Sequence, residues 1–330
     1  MREIRLVARA VGLPRPENFE VVDVPVPEGD GVLVRNAVFH VFPGLRVLVG
    51  DGEGETPWPR LSAGDPLMGA AVGEVVSAPD GASVRPGDLV SHFLGWREYA
   101  LVPEGQLVRL DGELPDPAAY LAPGVTAYSA LTREAPVRPG ETVLVTGAAG
   151  GVGSLAGQIA RLLGAGRVVG TTGSAQKGER LVAEFGYDAA LSREEASTAE
   201  GLRKVAPDGI DVVVDNVGGA QLRAAVGALN QDGRVALVGT LSSQLAPGGS
   251  GASAPVELDV FELIRKRVSL RGVLAQDAET RAEWTRRFGG WLREREIAFP
   301  HVRFQGIESA PRALHELLAG EHLGSVVVDV

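Results

Sequence analysis

A chain of 330 residues with 45% hydrophobic and 22% charged side chains is long enough for two domains with sizeable cores. Its net charge of -10 disfavours a nucleic-acid phosphate backbone as partner, and no apolar run approaches the roughly eighteen residues that read as a transmembrane helix, so a soluble cytoplasmic protein engaging neither nucleic acid nor membrane is expected. The absence of cysteine excludes disulfides, a thiol nucleophile and thiolate zinc or iron–sulfur sites, and none of the five histidines (His40, His92, His301, His315, His322) is paired with another at metal-ligand spacing, so no metal is expected.

Residues 2 to 110 read as mostly β. The runs Glu3–Val7, Phe19–Val24 and Gly31–Asn36 alternate or stay apolar and are divided by Pro14, Pro16, Pro25, Pro27 and Gly29. The charges within Met1–Ala10 argue against a signal peptide. Gly69–Val76, Asp88–Val90 and Trp96–Val102 continue the pattern, with Pro86-Gly87 as a turn signal, and together predict a small barrel-like β domain. The glycine- and acid-rich stretch Gly50–Asp65 reads as a mobile loop, over a site or as a surface excursion.

From Pro117 the periodicity becomes helical, and strands and helices alternate to about residue 295. The central unit is Thr142–Ser174, a buried strand, a glycine turn, a helix and a second strand in about thirty residues. Thr142–Thr146 leads through Gly147-Ala148-Ala149-Gly150-Gly151-Val152-Gly153 into a helix with Leu155, Ile159, Leu162 and Leu163 on one face, stopped by Gly164 and Gly166. Arg167–Thr171 is the second strand. This is the context a dinucleotide fingerprint requires: glycines where backbone approaches a pyrophosphate, and a helix N-terminus whose free N–H groups face it. An NAD site usually places an acid about twenty residues on, to hold the ribose 2′-OH. Here Gly170–Lys177 holds no acid, and a small polar loop leading to Lys177 suits a 2′-phosphate, so the cofactor is read as NADP(H). A helix over Lys177–Glu184, strands at Asp188–Leu191 and Ile210–Val214, a helix from about Ala220 to Leu229 and a strand Gly233–Gly239 complete a parallel doubly wound sheet. The tail Val302–Val330, with a helix around Ala310–Ala319 and a last strand Ser325–Val328, reads as a return to the β domain.

The blocks Gly95-Trp96-Arg97-Glu98-Tyr99, Pro123–Tyr128, Thr146–Ser154, Ala206–Asp211 and Asp215–Gly219, in this order, resemble the medium-chain dehydrogenase/reductases, within them the zinc-independent leukotriene B4 dehydrogenase, prostaglandin reductase and alkenal double-bond reductase group. The likeness covers essentially the whole chain. It implies an α/β fold with a Rossmann doubly wound sheet over residues 121–295, and a GroES-like β-barrel catalytic domain from 1–120 completed by 296–330. It also implies a cleft at their junction and usually a homodimer. By position, Gly150, Gly151, Val152 and Gly153 would meet the pyrophosphate, and Thr172, Ser174 and Lys177 the adenosine end. Arg193 falls near a family tyrosine that touches the 2′-phosphate, where a guanidinium can bind bidentately. Asn216, Gly239 and Thr240 would lie by the ribose and nicotinamide, Val273 and Leu274 in the segment that reaches the carboxamide, and Thr126 beneath the ring.

The family chemistry sends a hydride to the β-carbon of an activated C=C, with donors meeting the charge that develops on the conjugated oxygen. The small-molecule substrate is then an α,β-unsaturated carbonyl. This chain departs from the group at several polar positions. Phe42-Pro43-Gly44 stands where an Asp-Pro-Tyr is common, Gln244 where a second tyrosine falls, and His322 where an asparagine precedes Leu-Gly-Lys. Such exchanges point to a different substrate, such as a bulky specialised metabolite, and extend to reductive cyclisation. His40 and His92 are candidate proton or hydrogen-bond donors, with ordinary loop histidines as the alternative reading, and Tyr128 and Gln244 complete the candidate catalytic set. His301 and His315 read as structural. A quinone or carbonyl reductase on the same scaffold and a non-catalytic NADPH-binding protein are the competing functions. The run Ala246–Pro255 reads as a lid loop.

Overall fold

Alternating apolar residues put Val32, Val34 and Val38 on the buried side of a ten-residue strand, and bulged registers near Val34 and Val38 let Phe39 join them in the core. In the computed structural model, which describes residues 1–51, 59–110, 112–246, 253–273 and 277–330, this strand is the axis of the first of two compact units. That unit comprises Met1–Ala122 and His301–Val330; the second comprises Pro123–Ala246 and Ser253–Pro300.

Strands β1 (Arg2–Leu6) and β2 (Phe19–Asp23) form an antiparallel pair. The long β3 (Val32–Val41) pairs along one edge with β4 (Ala71–Ser77), which carries β5 (Leu89–His92). Along its other edge, residues 32–35 pair with β6 (Tyr99–Val102), and the short β7 (Val108–Arg109) follows beside β5. The residues 52–58 inside the glycine- and acid-rich stretch, and 247–252 inside the expected lid loop, lie outside the described residues.

In the second unit β8 (Thr142–Val145), β9 (Arg167–Thr172), β10 (Ala189–Ser192), β11 (Ile210–Asp215), β12 (Leu229–Leu237) and β13 (Ser269–Gly272) form one parallel sheet, ordered β10-β9-β8-β11-β12-β13. Numbered within the unit this is 3-2-1-4-5-6, the doubly wound order that opens a crevice beyond the ends of its first and fourth strands. The helix Gly151–Leu162 packs so deeply that Gly153 to Ala160 are all buried. Of its expected apolar face, Leu155 and Ile159 are fully buried, while Leu162 and Leu163 are only half-buried where the chain leaves the core for Gly164. β12 starts four residues before the expected Gly233 and ends two before the expected Gly239, and the helix expected to run to Leu229 stops at Gly227. The run Asn230–Gly233 reads as a turn, yet the strand absorbs it: Asp232 takes φ 59°, and Leu229 already pairs with Ile210.

The chain then returns through β14 (His301–Gln305), the helix Ala310–Ala319 and β15 (Ser325–Asp329). β15 runs antiparallel to the half of β3 left open by β6, with Val327 opposite His40, and β14 lies parallel beside it. Arg303 anchors this return, paired with Asp329 at 2.7 Å and with Asp116. Among the described residues, no helix is long and apolar enough to cross a membrane.

Candidate cofactor and catalytic site

The fingerprint turn is built at the end of β8. Gly147 takes φ 61°, its N–H reaches the Thr171 hydroxyl at 3.0 Å, and the Ala148 N–H donates to the Thr171 carbonyl at 2.8 Å. Gly150 precedes the helix in extended conformation, is exposed, and has nothing nearer its bare face than the Gly147 oxygen at 3.4 Å. Gly151 and Val152 follow in the first helical turn, so unpaired N–H groups face an approachable glycine, as an incoming pyrophosphate needs. Gly153 is required for a different reason: a Cβ there would lie 2.4 Å from the Gly147 oxygen and 2.6 Å from the Ala148 Cα. Its missing side chain lets helix and turn touch.

Tyr187, a residue the sequence did not single out, fixes that contact from behind. Its hydroxyl donates to the Gly153 carbonyl at 2.6 Å, and its ring occupies a slot that a side chain at Gly157 or Gly170 would fill. The recognisable signal is an aromatic residue paired with two glycines on elements that must pack closely.

A buried polar network joins the ends of β8, β9 and β11. The Thr146 hydroxyl donates to the Asp215 carboxylate at 2.6 Å and accepts from the Asn216 N–H at 2.9 Å. Asp215 also accepts from the Gly218 N–H at 2.9 Å, while burial pushes its pKa up. The Asn216 amide donates to the Thr146 carbonyl at 2.8 Å, which leaves its side-chain oxygen for another donor. Gly239 lies against this turn, where a Cβ would come within 2.8 Å of the Asn216 oxygen. Thr240 starts the short helix Leu241–Leu245, which carries Gln244 half-buried, and the Val273 N–H donates to the Leu237 carbonyl at 2.8 Å. Asn216, Gly239, Thr240, Gln244 and Val273 thus belong to one region at the strand ends. Leu274 lies outside the described residues.

At the tip of β9, Thr172 is buried and its hydroxyl accepts from the Ser174 N–H at 3.4 Å. Ser174 caps the helix Ala175–Glu184, on which Lys177 is the third residue. Arg193 starts the next short helix, and its guanidinium rests against Gly173. An open groove of about 560 Å³ begins at Thr172, Gly173 and Ser174 and continues past Ser192, Glu179 and Glu195.

Thr126 and Tyr128 lie in the helix Gly124–Ser129, which approaches so closely that a Cβ on Gly124 would meet Trp284 at 2.3 Å. Thr126 is half-buried. The Tyr128 phenol is buried, packs beside Trp284 and Trp291, and donates to the Glu283 carboxylate at 2.6 Å. Burial, together with that carboxylate, pushes its pKa up to about 12.

Within the first unit, His40 is half-buried and stacks on Phe42 at 6.2 Å, and Phe42 lies 6.1 Å from the exposed Phe93. Burial pulls the His40 pKa down to about 4. His92 is 6% exposed; its Nδ1 accepts from the Leu94 N–H at 3.0 Å, which puts the proton on Nε2, an atom buried without a partner among the described residues. Burial and then the Arg97 charge lower its pKa to about 4 as well. Both rings are therefore neutral N–H donors near neutral pH. The His322 Nε2 is 2.8 Å from the Glu316 carboxylate, and its ring meets Phe304 edge-on. His315 bonds the Pro14 carbonyl, and His301 sits 3.8 Å from Asp116. Among the described residues, no three histidine or acidic side chains cluster as metal ligands.

A 3-2-1-4-5-6 parallel sheet and a glycine turn feeding a helix N-terminus are the features of a dinucleotide-binding protein of the α/β class. The family described as zinc-binding dehydrogenase matches residues 151–288, and the N-terminal domain of oxidoreductase matches residues 2–110. The NADPH-dependent curcumin reductase of Escherichia coli is 34% identical over 335 residues, covering 98% of this chain and 95% of that one. The 2-alkenal reductase (NADP(+)-dependent) of Nicotiana tabacum is 31% identical over 341 residues, covering 100% and 97%. CurA from Vibrio vulnificus, solved in complex with NADPH, superposes with a TM-score of 0.88 at 30% identity, over 100% of this chain and 99% of that one. The chain belongs to the medium-chain dehydrogenase/reductase superfamily, in its zinc-independent group of prostaglandin, alkenal and curcumin reductases. It is an NADP(H)-dependent oxidoreductase.

Proposed function

We propose that the protein reduces the activated C=C of an α,β-unsaturated carbonyl compound. The observation that carries this reading is the state of the protons at the candidate residues. The Tyr128 phenol is committed to Glu283 at 2.6 Å, with its pKa raised to about 12, and His40 and His92 are neutral. Reduction of an isolated carbonyl makes a strongly basic alkoxide that needs an acid at hand. Conjugate reduction makes an enolate, whose charge is spread over three atoms and which a neutral N–H donor can hold until water protonates carbon. The Tyr128 hydroxyl is engaged by Glu283, and His40 and His92 supply neutral N–H donors of the kind an enolate needs. The activities for which the curcumin and 2-alkenal reductases are named agree with this class.

The open bare face of Gly150 is a cradle into which a cofactor backbone fits, while the bare face of Gly239 is taken up by the Asn216 backbone that it packs against. Gly150, Gly151, Val152 and Gly153 hold the pyrophosphate. Thr172, Ser174, Lys177 and Arg193 hold the adenosine 2′-phosphate, while Thr126, Asn216, Gly239, Thr240, Val273 and Leu274 hold the ribose and nicotinamide, with His322 completing the cofactor set. When bound, the reduced nicotinamide supplies a hydride. As the β-carbon of the substrate gains it, the π electrons move to the conjugated oxygen, where the His40 N–H donates, with His92 and Gln244 as further polar groups. Water then delivers a proton to the α-carbon. The same enolate closes a ring where the substrate carries a second electrophilic carbon, which is how a specialised biosynthetic reductase would act as a cyclase. The exposed Val260, Phe261 and Ile264 beside the edge strand β13 support a homodimer.

The test is NADPH oxidation against a panel of enals, enones, aryl enones, saturated ketones and quinones, with mass analysis of products. A product heavier by two hydrogens from enones alone is expected, and an unchanged ring count rules out cyclisation. Consumption of ketones or quinones with enones spared overturns the reading. So does tight NADPH binding with no turnover of any class.

A further inference from the structure

We propose that Gly173 is a positioning residue for cofactor choice: its bare face seats the Arg193 guanidinium flat at the tip of β9, with the nitrogen edge presented to a 2′-phosphate. The proposal rests on the reading that Arg193 meets that phosphate.

A Cβ placed on Gly173 would lie 2.6 Å from the Arg193 Nη2, 2.7 Å from Cζ and 2.7 Å from Nε. Near-equal distances to three bonded atoms of one plane mean that the point lies over that plane, so the guanidinium is face-on to the glycine. These three atoms are the nearest neighbours of the bare face. Gly173 is absent from the positive-φ positions, so its backbone would accept alanine without strain. What the glycine provides is therefore room, and Arg193 fills it.

Arg193 is exposed and makes no ion pair among the described residues, although Glu194 and Glu195 follow it. Glu195 is engaged elsewhere: its carboxylate accepts from the Ser192 N–H at 3.1 Å, and its own N–H donates to the Ser192 hydroxyl at 3.2 Å. The Ser197 hydroxyl bonds the Arg193 carbonyl at 2.7 Å and so fixes the turn that carries the arginine. A cation held against peptide on one face and unneutralised along its edge is pre-organised for a dianionic phosphate, where bidentate geometry matters as much as charge. Lys177, on the helix that Ser174 caps at the same tip, supplies the second positive charge. The acids in the adjoining groove are Glu179 and Glu195.

The test measures binding of 2′,5′-ADP and 5′-AMP by calorimetry to the full-length wild type, Gly173→Ala, Arg193→Ala and the double variant, with thermal unfolding in parallel. These ligands report on the adenosine end without chemistry. Gly173→Ala is expected to weaken 2′,5′-ADP by about five- to tenfold, leave 5′-AMP unchanged and leave the melting temperature unmoved. In the Arg193→Ala background it is expected to have no further effect. If Arg193→Ala weakens 2′,5′-ADP and Gly173→Ala does not, the seat is overturned while the arginine's role stands. If neither variant changes 2′,5′-ADP binding, the reading of Arg193 itself falls. Equal loss of both ligands, or a lowered melting temperature for Gly173→Ala, makes the glycine a folding requirement and overturns the proposal.

Discussion

His92 and Tyr187 show how single buried polar groups set measurable properties of this chain. The His92 pKa is held at about 4, below the ordinary value of 6.5 that the unfolded chain regains. Between those values the unfolded state binds a proton that the native state refuses. Stability is therefore fully present above about pH 6.5 and falls as pH drops toward 4, by on the order of 3 kcal/mol for this 6%-exposed ring. His92→Asn, which can still accept the Leu94 N–H, is expected to reduce the fall of urea-denaturation midpoints between pH 6.5 and 4, the remainder coming from His40, whose pKa is lowered likewise; an unchanged slope would assign the acid sensitivity elsewhere. Tyr187→Phe keeps the ring in its glycine slot and removes only the bond to the Gly153 carbonyl, so a loss of about 1 kcal/mol is expected in the same assay. The glycine turn and the helix it feeds are legible in the sequence because residue type and spacing carry them, whereas Arg193 enters only through the family resemblance. The sequence did not reveal Tyr187 or the Thr146–Asp215 bond, because those depend on partners 34 and 69 residues away.

Beside a core of leucine, isoleucine and valine, several elements of the second unit meet through glycines. The helix Gly151–Leu162 would gain about 1 kcal/mol of helix propensity from Gly157→Ala. The added Cβ, however, would lie 2.2 Å from the Tyr187 ring in a fully packed layer, and overpacking of that kind costs about 1 to 3 kcal/mol. The net expectation is destabilisation that Gly157→Ala combined with Tyr187→Leu partly relieves, read by denaturant titration of the three variants. Stabilisation by Gly157→Ala alone would show that the ring can move aside. The same scale explains where the sequence reading slipped. β9 and the helix Ala310–Ala319 fall close to their expected bounds because apolar periodicity and capping residues agree. β12 does not, because Asn230–Gly233 has turn chemistry that pairing with β11 overrides. β14 was not separated from the tail because five residues pairing in parallel with β15 leave little local signal.

For the whole molecule the unresolved demand is at the edge of the parallel sheet. β13 ends the strand order, so among the described residues one side of its backbone has no neighbour in the sheet, and Arg271 and Gly272 are exposed. The helix Val260–Lys266, which leads into it, exposes Val260 by 64%, Phe261 by 70% and Ile264 by 68%. Isolated exposed apolar residues are ordinary, but three on one short helix, next to an open strand edge, present both contact area and unpaired backbone groups. A two-fold axis beside β13 would satisfy both at once: two copies of the strand would pair antiparallel, and the two apolar helix faces would be covered by the same operation. If that homodimer forms, Phe261→Glu buries a charge twice per interface and is expected to yield monomers in sedimentation velocity, at concentrations where the wild type is a dimer. NADPH binding should survive, because Phe261 lies in none of the cofactor-binding turns. A wild type that sediments as a monomer, or a variant that remains dimeric, would place the contact on another face and leave the patch for a different partner.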